Sequence, residues 1–165
     1  MHRHLELLTE LEPHLQDAQR ARSLLKAFVQ NQLDAILRVH EVNNGRFPMI
    51  VDRDGLAIDT SGARIHVDPN VRSPGDAFCA KALICAGRTE VEVQLGLELL
   101  GQFTSAVLQD RFHMDQLEDD PDMVSQGAAM LALGAIPYVA ARGSADTWVK
   151  RITSLLDLVL SRHYE

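Results

Sequence analysis

Between Pro13 and Val42, apolar side chains recur at steps of three and four: Leu15, Ala18, Leu25, Phe28, Val29, Leu33, Ile36 and Leu37, with Gln32 and His40 on the same line. That period places them on one face of a helix, so the spacing predicts a long amphipathic helix running to about residue 42, behind a short, frayed N-terminal one. Pro13 suits a first helical position. Asn43-Asn44-Gly45 suits the stop, because Asn and Gly tolerate positive φ. From Phe47 to Val67 the apolar runs shorten, which predicts two or three short antiparallel strands. Helix-start signals then follow: Ser73-Pro74 with Asp76, Thr89 with Glu92, Asp120-Pro121 with Asp122, and Ser144 with Asp146. They predict helices over 74–86, 90–112, 121–134 and 144–163. Thr89 to Leu99 alternates polar and apolar like a strand, but the capping spacing behind Gly87 assigns it to a helix.

The expected fold is therefore α+β and helix-dominated. It has a long N-terminal helix, a small antiparallel β-hairpin or meander over about 47–67, and a C-terminal set of about four helices packed on one face of the meander. No repeat, low-complexity tract or linker divides the chain, so residues 1–165 are read as a single domain.

Composition narrows the partners. Of 165 residues 46% are hydrophobic and 24% charged, enough to bury a core without staples. The net charge of −7 repels polyanions, which argues against nucleic acid. Arg20, Arg22, Lys26, Lys150 and Arg151 sit at helical spacing and read as solvated faces. The start Met1-His2-Arg3-His4-Leu5 lacks the apolar segment of a secretory signal. The longest uncharged apolar run, Ala128 to Ala141, contains Gly134 and Pro137 and falls short of the roughly 20 residues a bilayer crossing needs. It reads as core or subunit contact, with no membrane partner. Cys79 and Cys85, six positions apart on a predicted helix, point away from each other and read as two reduced, buried thiols. Without a disulfide framework, the cytoplasm is the expected compartment.

The stretch Ile50-Val51-Asp52-Arg53-Asp54-Gly55-Leu56-Ala57-Ile58-Asp59 holds the densest candidate chemistry. It resembles the first motif of haloacid-dehalogenase-type phosphotransferases, in which an apolar strand delivers Asp-x-Asp-Gly. That resemblance implies Asp52 as nucleophile, Asp54 as general acid–base and Mg²⁺ as counter-charge. It covers ten residues of 165. The family's Thr is replaced by Leu56, and its companion motifs are missing: Asp119-Asp120 follows a polar segment, and Lys81 matches only by position. The same residues suit a two-residue type I′ turn at Asp54-Gly55, with Val51 opposite Ile58, Arg53 opposite Leu56, and Asp52 and Asp59 on the other face. The turn needs no missing parts and is the reading preferred here; Asp52 and Asp54 are then not catalytic.

Other lookalikes are incomplete. Asp59-Thr60-Ser61-Gly62-Ala63 resembles the Asp-Thr-Gly loop of aspartic proteases, with a serine inserted. A calcium loop from Asp52 would need oxygen ligands near Leu56 and a Glu where Ala63 stands. His113 to Asp122 is rich in metal-ligand types but lacks a His-x₃-His or Glu-x₂-His step, and reads as a connector capped by Asp120. His66 with Asp68 is a pair and not a site. No nucleophile elbow, phosphate loop or dinucleotide fingerprint occurs, so no cofactor and no metal is expected.

What remains is apolar helix surface. The expected function is a non-enzymatic cytoplasmic regulatory or sensory interaction module acting as a homo-oligomer, simplest as a homodimer, with another protein as second choice of partner. The interface candidates are Phe28, Leu33 and Ile36 on the N-terminal helix and Trp148, Ile152 and Leu156 on the C-terminal one. Two alternatives stand beside it: a Mg²⁺-dependent phosphotransfer enzyme using Asp52 and Asp54, and a small-ligand protein with an apolar pocket lined by 128–141.

Overall fold

A computed structural model describes residues 18–109, 111–112, 126–142 and 145–163. Its helices are α1 (Ala18–Val42), α2 (Pro74–Ala86), α3 (Glu90–Leu108), α4 (Gln126–Leu133), α5 (Ile136–Ala141) and α6 (Ala145–His163).

Local chemistry accounts for most of the boundaries. α1 stops where Asn44 and Gly45 both adopt positive φ, 53° and 80°. At the start of α2, Ser73 Oγ accepts from the Gly75 amide at 3.2 Å and the Asp76 carboxylate accepts from the Ser73 amide at 2.9 Å, a reciprocal cap behind Pro74. Thr89 caps α3 by accepting from the Glu92 amide at 3.2 Å, but the Glu92 carboxylate reaches past it to the Arg88 amide at 2.6 Å. α3 ends at Leu108, four residues before the expected 112, where the Gln109 and Arg111 amides turn back to the Ala106 carbonyl. The apolar run splits in two: the Gly134 amide closes α4 on the Met130 carbonyl at 2.8 Å, and Pro137 enters the first turn of α5, where its missing N–H is harmless. The frayed N-terminal helix and the start signals at Asp120-Pro121 and Ser144 lie outside the described residues.

α2 and α3, joined by three residues, form the central pair. Gly96 lets them touch, since a Cβ there would sit 2.8 Å from the Ala80 carbonyl oxygen. α1 packs on α2; α4 packs on α2, α3 and α6; α5 joins α2 to α6. One core cluster gathers Val29, Leu33, Phe47, Leu83, Ile84, Leu100, Val139 and Trp148. A second gathers Phe103, Val107, Leu155 and Val159 with the alanines 128, 129 and 132, whose small side chains let α4 lie close.

The expected α+β class is overturned. Among the described residues there is no strand and no sheet, only isolated bridges pairing Val51 with Ala57, Ile58 with Arg64 and Arg72 with Phe112. The segment over 47–67 does double back twice, but it is not a β-hairpin or meander, and the helices pack on one another instead of on its face. The type I′ turn fails too. Gly55 has φ +87°, while Asp54 is not among the positive-φ residues, so the loop spans Asp52 to Leu56 with three central residues. The Gly55 amide donates to the Asp52 carbonyl and the Asp52 amide to the Leu56 carbonyl, both at 2.9 Å. Pairing therefore shifts by one: Val51 meets Ala57, not Ile58.

The reason is a seven-residue repeat. Asp52-Arg53-Asp54-Gly55-Leu56-Ala57-Ile58 is followed at once by Asp59-Thr60-Ser61-Gly62-Ala63-Arg64-Ile65. Each copy opens with the same five-residue loop. In the second, the Gly62 amide donates to the Asp59 carbonyl at 3.0 Å, the Asp59 amide to the Ala63 carbonyl at 2.9 Å, and Gly62 has φ +85°. Only Ala57 and Ile58 separate the two loops, too short a span for a ladder.

Candidate functional site

Asp52 and Asp54 are organised by backbone and one arginine. Asp52 Oδ1 accepts from the Asp54 and Leu56 amides at 2.9 and 3.0 Å. Its Oδ2 takes Arg64 Nε and Nη2 at 3.1 and 3.0 Å, and Arg64 Nη2 also reaches Asp54 Oδ2 at 3.3 Å. The bond from the Leu56 amide, followed by Arg64, holds the Asp52 carboxyl below its ordinary range. Asp59 repeats the arrangement with the Ser61 and Ala63 amides and the Ser61 hydroxyl, which lowers it likewise. Both carboxylates serve as loop acceptors of the Asx type.

Asp76 is the buried counterpart. Fully enclosed, it accepts from the Ser73 amide (2.9 Å), Arg46 Nη2 (3.1 Å), the Phe47 amide (3.2 Å) and Arg72 Nη1 (3.4 Å). One carboxylate thus ties the α2 cap to the chain leaving α1. Four donors satisfy its oxygens, which is what a buried charge requires. His40 stacks on Phe47 at 5.3 Å and is pushed below its ordinary value by burial. Cys79 is a free thiol that burial raises to about 12, which suits packing and not nucleophilic chemistry. Among the described residues no group of three His, Cys, Asp or Glu is placed to hold a metal; His113 to Asp122 lies outside them.

The six interface candidates divide by exposure. Leu33 and Trp148 lie in the core, Ile36 and Ile152 are half-buried against it, and Phe28 and Leu156 are 49% and 45% exposed. On α1 the exposed side is itself patterned. Ala21, Leu24, Phe28, Asn31, Ala35, Arg38 and Val42 follow steps of three and four along the side opposite Val29 and Leu33. Leu24 is 62% exposed and Val42 37%. The spacing traced through Val29 and Leu33 took in Phe28, which belongs to the outward stripe; the rest of that second stripe stands at the same spacing. Val149 and Leu160 extend the exposed patch at Leu156 on α6.

A cleft of about 780 Å³ opens between α3, the first turn of α6 and the loop before α2. Arg72, Arg111, Arg151, Gln94, Glu98 and Gln102 are among its walls. The alanine-rich 128–141 stretch does not line it; Ala128, Ala129, Ala132, Ala135 and Val139 are core. Sequence reading filed Arg151 under solvated faces and did not single out Arg72 or Arg111, since no local pattern links groups 40 positions apart. No protein-family model, curated protein or solved structure matches the chain. Among the described residues no helix is long and apolar enough to cross a membrane.

Proposed function

We propose that this protein is a non-enzymatic, cytoplasmic regulatory module that acts as a homodimer, joined through the outward stripe of α1. The observation that carries the reading is the pattern on that helix. From Gln19 to Phe28 no side chain is buried, and the face continuing the line of Val29 and Leu33 bears Arg22 and Lys26. Of the large apolar groups of this half, Leu25 continues the inward line half-buried, while Leu24 and Phe28 point the other way, 62% and 49% exposed. A helical segment of this length with no buried side chain is marginal in water, so its apolar side calls for a partner. The three-four spacing is that of a coiled-coil seam, and Asn31 at its middle is the kind of polar insertion that sets register between like helices. A second copy supplies the same seam, and a two-fold axis uses it twice.

Sedimentation at micromolar concentration tests this. The expected result is a dimer that Phe28→Asp dissociates while leaving the helical circular dichroism unchanged, with Leu156→Asp having the smaller effect. A wild-type chain sedimenting at single-chain mass would remove the proposal.

A further inference from the structure

We infer that the cleft beside α3 binds a small phosphate-bearing ligand through Arg72, Arg111 and Arg151. This goes beyond self-association and rests on a different surface. The three arginines come from distant parts of the chain and converge on two turns of α3. Arg72 Nη2 donates to the side-chain oxygen of Gln102, the Arg111 amide donates to the Ala106 carbonyl, and Arg151 lies against Gly101. Among the described lining residues the cleft sets one carboxylate against them, Glu98, in a chain whose net charge is −7.

Among the described residues only Arg72 of the three has a carboxylate partner, Asp76 at 3.4 Å. Among the described residues no carboxylate pairs with Arg151, whose guanidinium sits over the Trp148 ring at 4.9 Å. Among the described residues Arg111 Nη2 meets the amide oxygen of Gln109. Arg72 is held from behind by Asp76, which aims it into the cleft while Asp76 is committed to Arg46 as well. Gathering three like charges is unfavourable. The surrounding packing nonetheless enforces it. A Cβ on Gly101 would stand 2.6 Å from Arg151 Nη1, so a residue that is poor in the middle of a helix opens the space that the guanidinium fills. Trp148, 6% exposed, fixes the other face of that guanidinium. The cations are therefore in place before any ligand arrives.

Guanidinia present planar forks that match phosphate oxygens two at a time. Asn70, Gln94 and Ser105 add neutral polar groups to the wall, the Ser105 hydroxyl donating to the Gly101 carbonyl at 2.9 Å and the Gln94 amide nitrogen to Glu98 at 3.3 Å. The volume is that of a small-molecule site. Glu98 and the overall charge oppose a long polyanion, which favours a compact ligand.

Calorimetric titration with pyrophosphate, at ionic strength matched with chloride, tests the assignment. Saturable binding at one per chain is expected, weakened at least tenfold by Arg151→Gln and by Gly101→Ala, and unchanged by Lys150→Gln next door. Arg111→Gln gives the same comparison should Arg151→Gln lower the melting temperature. Absence of saturable binding, equal loss in Lys150→Gln, or binding of citrate but not pyrophosphate would each overturn the inference.

Discussion

The loop Asp52–Leu56 and the loop Asp59–Ala63 share a backbone, hydrogen bond for hydrogen bond, yet the first is built into the body of the protein and the second stands in solvent. Gly55 lies against Val39 and Val42 of α1, with an added Cβ 3.3 Å from the Val39 side chain, whereas nothing lies within 4 Å of one on Gly62. The buried Asn43 fastens the first loop: its amide nitrogen donates to the Val39 and Gly55 carbonyls at 2.8 and 2.6 Å, and its side-chain oxygen accepts from the Ala57 amide at 3.1 Å. No such fastening reaches the Asp59 loop among the described residues. The shape of each loop is local chemistry, an aspartate accepting from amides two and four residues on with a glycine turning the corner. Attachment is tertiary, and one asparagine at the end of α1 decides it.

The largest test of that contrast is Asn43→Ala. It strands the Gly55 carbonyl and the Ala57 amide in a buried place, and should lower unfolding free energy by about 2–3 kcal/mol in urea melts. A loss under 0.5 kcal/mol would mean that the first loop is as loosely held as the second. Next, the two glycines should separate. Gly62→Ala costs only the left-handed backbone, about 1 kcal/mol. Gly55→Ala adds the crowding of Val39 and should cost roughly 2 kcal/mol; equal values would erase the distinction. The smallest effect is in pH. His40, beneath the docked region, has its neutral form favoured by burial, so its contribution is complete above its ordinary 6.5 and declines as pH falls through 6.5 toward the lowered folded value. Asp52 and Asp59 have lowered values, so their contributions persist above the ordinary 3.8 and disappear only as pH falls below it. His40→Gln should flatten the melting-temperature profile just below pH 6.5 and leave the acid limb below pH 3.8 unchanged; a flattened acid limb would break the assignment.

The helices were legible because their signals are short-range. Ser73 with Asp76, Thr89 with Glu92 and Asn44-Gly45 each act within four residues, and each marks an end found in the structure. The strands expected over 47–67 were misread for the complementary reason. Alternating apolar residues promise a ladder only if the turns leave room for one, and the seven-residue repeat sets those turns too close together. The second stripe of α1 was readable from its spacing but was masked by the first. The arginine cleft was not readable, because its members reach α3 from residues 72, 111 and 151, with no shared period.

The sequence by itself marked the stop of α1 and the starts of α2 and α3, and its aspartate and glycine spacing carries the hydrogen bonds of both aspartate loops, since bonds over two to five residues need no distant partner. Only the tertiary structure decided that Leu33 and Trp148 are core while Phe28 and Leu156 face outward, that Asp76 pairs with arginines on either side of it, and that three cations meet beside Gly101. Those outcomes depend on which helix faces which, and that follows from packing α1, α2, α3 and α6 together, not from any one stretch of chain.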